Sequence, residues 1–129
     1  DEVKKVLIID DEPDTIIFLG TWLEDQGYDV TSAHDGQRGM DLLLADPPDL
    51  VLMDLKMPYL GGVQLYRLIR GHEHLNDLPV IFITGVAEYH LFDDGCEQLP
   101  APAACLAKPV DLQALAQAID QALAARPAL

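Results

Sequence analysis

Apolar residues in this chain fall into short unbroken runs separated by stretches with helical spacing. Val6-Leu7-Ile8-Ile9, Leu50-Val51-Leu52-Met53 and Val80-Ile81-Phe82-Ile83 are such runs. They are too short for buried helices and match parallel strands covered on both faces. The first strand is expected over Val3–Ile9, the third over Leu50–Met53, the fourth from Pro79, and a fifth at Cys105-Leu106-Ala107. Asp29–Ala33 is a shorter, more polar strand, suited to a sheet edge. Between them the period changes. Pro13 fits a first helical turn, Ile16, Leu19, Trp22 and Leu23 form one apolar face, and Gly27 stops that helix. Asp35 can cap a second helix carrying Met40, Leu43 and Leu44, closed by Pro47-Pro48. Gly61-Gly62 opens a third, with Val63, Tyr66, Ile69 and Arg70 along it. Asp111 caps the last, with Leu112, Leu115, Ile119 and Leu123 inward. Gly95, Pro100 and Pro102 leave room for only a short fourth helix and an irregular connection. Five strands alternating with five helices predict an α/β doubly wound parallel sheet with right-handed crossovers.

The polar residues that follow these runs carry the chemistry. Asp10-Asp11 follow the first run, Asp54 the third, Thr84 the fourth, and Lys108 the fifth. In an open parallel sheet, ligands bind outside the carboxyl ends of the strands. Three carboxylates, a hydroxyl and a lysine are therefore expected to converge there. Two like charges roughly 4 Å apart cost on the order of 4 kcal/mol at an effective dielectric near 20. A raised pKa, a bound cation or Lys108 must offset that repulsion. A hard divalent ion with oxygen ligands suits such a site.

Composition narrows the choice. The 129 residues carry a formal charge of −14, which argues against direct nucleic-acid binding and favours a cation or a protein partner. Cys96 and Cys105 form neither a disulfide framework nor a metal-ligand spacing, and read as one loop thiol and one buried strand thiol in a reducing compartment. No run has the length of a membrane span. Residues 1–129 read as one domain. The opening Asp1-Glu2-Val3 lacks an initiator Met and any signal-peptide pattern, so excision from a longer protein is allowed. Glu12 reads as a first-turn helix residue favoured by the dipole, and His72 and His74 as a solvated helix-end pair.

Taken together, Asp10-Asp11-Glu12-Pro13, Met53-Asp54-Leu55-Lys56-Met57-Pro58 with Gly62, Thr84-Gly85, and Lys108-Pro109 resemble the receiver domain of two-component response regulators, in the CheY-like, flavodoxin-like superfamily. The resemblance covers nearly the whole chain. It implies strand order 2-1-3-4-5 and a cytoplasmic phosphorylation-dependent switch that is not an enzyme in its own right. The phosphoryl group would come from a histidine kinase or phosphotransfer protein, with Mg²⁺ as cofactor. By that resemblance Asp54 is the phosphoacceptor. Asp11, Asp54 and the backbone carbonyl of Lys56 hold Mg²⁺, with Asp10 acting through water. Thr84, the N–H of Gly85 and Lys108 bind the phosphoryl group, and Lys108-Pro109 is a cis peptide. Lys56 and Val86 take the two flanking positions that tune phosphorylation and hydrolysis rates in the family.

One departure stands out. The family's switch aromatic lies three residues before the lysine, where this chain has Cys105, so aromatic switching is in doubt. The Gly95–Ala104 loop is also longer and richer in proline than usual, which suggests output through another surface or through that loop. The alternatives are a degenerate receiver used as a constitutive interaction module and an aspartate-nucleophile phosphohydrolase. Intact Asp11, Asp54, Thr84 and Lys108 argue against the first. Against the second, the lone nucleophile candidate follows the third strand rather than the first.

Overall fold

The computed structural model describes residues 3–85 and 99–125. Five strands, β1 (Lys5–Ile9), β2 (Asp29–Ala33), β3 (Leu50–Met53), β4 (Val80–Thr84) and β5 (Ala104–Ala107), form one sheet. Every pair is parallel and the order is β2-β1-β3-β4-β5. Four helices accompany them among the described residues: α1 (Pro13–Asp25), α2 (Gly36–Ala45), α3 (Gly62–Gly71) and α4 (Leu112–Ala125). The short helix expected after β4 falls mostly outside the described residues. So do Val86, His90, Gly95 and Cys96.

Strand alternation builds two cores. Leu7, Ile9, Val51, Met53, Val80 and Phe82 point to one face and pack with Leu43 of α2 and Leu65, Tyr66 and Ile69 of α3. Val6, Ile8, Leu50, Leu52, Ile81 and Ile83 point to the other, against Ile16, Leu19 and Leu23 of α1 and Leu115 and Ile119 of α4. Burial on both faces is why the central strands read as continuous apolar runs. β2 lies at an edge and is mostly exposed, as its polarity predicts.

Local signals set the helix ends. Pro13 opens α1, and Gly27 takes φ +96° just beyond the α1 C-cap, in the region open to glycine. The Asp35 carboxylate accepts the N–H of Arg38 at 2.7 Å, and that of Asp111 accepts the N–H of Gln113 at 2.9 Å. Three expectations need correction. β1 begins at Lys5 rather than Val3, which is exposed and lies outside the ladder. Leu44 is exposed, because α2 buries only a narrow stripe, with Gly36 close to Leu60 of the loop before α3, Gly39 close to Ile9 of β1, and Leu43 in the core. Cys105 is exposed rather than buried. It lies on the second edge strand, pointing away from the core that receives its neighbours Ala104 and Leu106.

Candidate functional site

The ladder positions the site. One residue past the ends of β1, β3 and β5, the backbone still pairs. Asp10 N–H donates to Ala33 O at 3.1 Å, Asp54 N–H to Ile9 O at 3.1 Å, and Lys108 N–H to Thr84 O at 2.9 Å. Ile9 is level with Met53 and Met53 with Phe82, so Asp10 and Asp54 leave the sheet side by side with Thr84 close by. The loop after β3 is fixed from below. Gly62 N–H donates to Leu55 O at 2.9 Å, and a Cβ on Gly62 would lie 2.3 Å from the carbonyl oxygen of Asp54. Only glycine permits α3 to start this close to the residue it supports.

Six side chains meet there. Thr84 Oγ1, fully buried, donates to Asp54 Oδ1 at 2.8 Å, and the N–H of Lys56 approaches the same oxygen at 3.3 Å. Asp54 Oδ2 accepts from Lys108 Nζ at 2.9 Å. Lys108 Nζ also reaches Asp10 Oδ2 at 2.9 Å and Glu12 Oε1 at 2.7 Å. Asp10 Oδ1 accepts the N–H of Glu12 at 2.9 Å. Asp11 is exposed, with its carboxylate in the same group. Asp11, Glu12, Asp54, Lys56, Met57, Pro58, Gly85 and Lys108 line an open cleft of ≈ 600 Å³. The Lys108–Pro109 peptide is cis. Cys105 lies on the sheet edge outside this lining.

Electrostatics follow from burial and crowding. Burial pushes the Asp10 carboxyl above its ordinary range, against the pull of the Glu12 N–H and of Lys108. Burial works against the Lys108 ammonium, yet hydrogen bonds to Glu12, Asp54 and Asp10 outweigh it and raise its pKa above the ordinary lysine value. One oxygen from each of Asp10, Asp11, Glu12 and Asp54 lies within 4.8 Å of the others. Three of these carboxylates already close on a cation, the Lys108 ammonium. A donor set of hard carboxylate oxygens around a seat for positive charge fits Mg²⁺.

The strand-end rule brings together Asp10, Asp11, Asp54, Thr84 and Lys108. It misses Glu12, read from sequence only as a helix residue. Glu12 is the N-cap of α1, with extended backbone, and its side chain turns back into the cluster rather than capping the helix. A long carboxylate directly after two strand-end aspartates was the one available signal. Tyr59 also went unnoticed. In the loop beside the cleft it is fully exposed, with φ +66°.

Comparison with known proteins places these features. The family model of the response regulator receiver domain matches residues 6–120. The response regulator receiver protein CpdR of Brucella abortus is 36% identical over 123 residues, covering 95% of this chain and 99% of CpdR. The CAI-1 autoinducer sensor kinase/phosphatase CqsS of Vibrio cholerae is 40% identical over 83 residues, 64% of this chain but only 12% of that protein. The transcriptional regulatory protein GlrR of Escherichia coli is 36% identical over 118 residues, 92% of this chain and 26% of GlrR. The chain thus spans a minor part of some relatives and nearly all of another. The crystal structure of the signal receiver domain of a signal transduction histidine kinase from Syntrophus aciditrophicus superposes with TM-score 0.84 at 26% identity, covering 95% of this chain and 91% of that one.

Proposed function

This chain belongs to the response regulator receiver family of two-component systems, and from that membership we propose that it is a cytoplasmic phosphorylation switch with Asp54 as phosphoacceptor. The observation that carries the reading is the setting of Asp54. It stands at the carboxyl end of a central strand, with one oxygen bonded by Thr84 and the other by Lys108, at the wall of an open cleft.

In the proposed reaction an Asp54 carboxylate oxygen bonds to phosphorus while the bond from phosphorus to the donor's imidazole nitrogen breaks. The electron pair stays on that nitrogen, and Asp54 becomes an acyl phosphate. Phosphoryl transfer demands positioning and charge neutralisation more than covalent assistance. Lys108 supplies a fixed positive charge beside the acceptor oxygen. Thr84 orients the carboxylate before transfer, and with the N–H of Gly85 is placed to bond the phosphoryl oxygens after it. Asp11, Asp54 and the Lys56 carbonyl would hold Mg²⁺, with Asp10 through water; when bound, the ion supplies positive charge against the phosphoryl oxygens. The proposed donor is a histidine kinase or phosphotransfer protein. Membership in this family also supports a signalling rather than a metabolic role. Whether the domain stands alone or serves a longer regulator or kinase, its output runs through a protein partner or a linked effector rather than direct nucleic-acid contact, given the −14 charge.

Intact-protein mass after incubation with acetyl phosphate tests this directly. A gain of one phosphoryl group that requires Mg²⁺, and that is lost in Asp54→Asn, is expected. No gain in the wild-type protein would leave the constitutive interaction module as the better reading.

A further inference from the structure

We propose that Glu12 is a positioning residue that holds Lys108 while Asp54 is unmodified and yields it to an incoming phosphoryl group; the inference rests on the phosphoacceptor reading above. The Lys108 ammonium has three N–H donors. All three are engaged by carboxylates, from Asp10 at 2.9 Å, Glu12 at 2.7 Å and Asp54 at 2.9 Å. Lys108 can therefore bond a phosphoryl oxygen only by releasing one of them.

The three partners are not equivalent. The Asp10 and Asp54 side chains are 4% and 8% exposed, whereas that of Glu12 is 60% exposed. Leaving a buried carboxylate without its cation is costly, while an exposed one is solvated by water at once. Asp10 and Asp54 are also fixed through their second oxygens, by the Glu12 N–H and the Thr84 hydroxyl. Among the described residues, the Glu12 carboxylate bonds Lys108 alone. Glu12 is thus the exchangeable contact, and it competes with the phosphoryl group for the same proton donor. Its length is essential. From the extended N-cap position of α1 it spans back to Lys108, and an aspartate there is one methylene shorter.

The test is titration with beryllofluoride, a phosphoryl mimic, at saturating Mg²⁺, read from the amide resonances of Thr84 and Gly85. Glu12→Gln and Glu12→Asp should each bind the mimic about two- to fivefold more tightly than wild type, the scale of losing one exposed ion pair. Asp14→Asn removes a nearby exposed charge without touching Lys108 and should change affinity less. In metal-free protein without the mimic, the Lys108 side-chain amine resonance should move in both Glu12 variants and stay in place in Asp14→Asn. Wild-type behaviour of Glu12→Asp in both measurements would overturn the proposal, because charge alone would then suffice. Equal tightening in Asp14→Asn and Glu12→Gln would overturn it for the same reason. Failure of the wild-type protein to bind beryllofluoride would instead overturn the phosphoacceptor reading itself, and this inference with it.

Discussion

Asp10 keeps only 2% of its surface in water, and that burial holds its carboxyl above the ordinary range. A group that binds its proton more tightly in the folded than in the unfolded state makes the fold less stable as pH rises past the unfolded value. Asp10→Asn removes the buried charge and keeps an oxygen for the Glu12 N–H. We expect the metal-free variant to melt about 2–4 °C higher at neutral pH, and to bind Mg²⁺ more weakly when titrated calorimetrically. Tyr59 is strained rather than desolvated. At φ +66°, a non-glycine residue carries roughly 1–2 kcal/mol of backbone cost. Its side chain is fully exposed, so replacement forfeits no burial. Tyr59→Asn, better suited to that region, should raise the unfolding free energy by about 0.5–1 kcal/mol in urea titration. Neither feature could be read from sequence. Strand periodicity placed Asp10 at a strand end without giving its degree of burial, and a tyrosine carries no signal for positive φ where glycine or asparagine would have.

At the level of elements, the approach of α3 to the β3 loop governs how firmly Asp54 is held. In Gly62→Ala the new methyl would meet the Asp54 carbonyl oxygen and Leu55 Cα, both backbone atoms that no rotamer change can move aside. A loss of about 2–3 kcal/mol is expected, together with slower acetyl phosphate labelling of the fraction that stays folded. α3 also anchors the segment before β5. The hydroxyl of the buried Tyr66 donates to Pro100 O, its ring packs against Phe82 with centroids 5.4 Å apart, and the Arg70 Nε–H reaches its oxygen at 3.2 Å. Tyr66→Phe should cost about 1–2 kcal/mol by leaving the Pro100 carbonyl unsatisfied, measured as a lower urea midpoint with an unchanged slope. The helix itself was legible from Val63, Tyr66 and Ile69, and its start from Gly61-Gly62. The partner of the Tyr66 hydroxyl was not, because it lies 34 residues away and periodicity describes a face rather than a contact. The edge position of β5 explains the other difference: the Cys105 thiol was expected to be buried, yet among the described residues only one side of its strand finds a neighbouring strand, and the thiol is exposed.

Across the whole molecule the net charge of −14 acts on stability as well as on partner choice. Self-repulsion of a compact acidic domain weakens as salt shortens the screening length. Metal-free protein should therefore melt several degrees higher in roughly 0.3 M NaCl than in about 0.02 M. Mg²⁺ at a few millimolar should exceed that effect in wild type and add little in Asp54→Asn, since only a cation seated among the carboxylates gains from binding the folded state. Topology was the most legible property of this chain. Buried parallel strands cannot conceal their apolar runs, and turns and caps mark the helices between them, while the order of the strands in the sheet came from the resemblance to receiver domains. Side-chain reach, as at Glu12, stayed hidden because it depends on the direction in which the backbone enters a helix.

The pairing of Asp10, Asp54 and Lys108 with the sheet just beyond its strand ends has one more consequence. Their side chains gather beside the open cleft, but their amide hydrogens are tied into the most cooperative part of the molecule. Deuterium should enter these three positions on the timescale of global unfolding, hours behind exposed loop amides such as that of Tyr59. The groups around the cleft would thus keep time with the core.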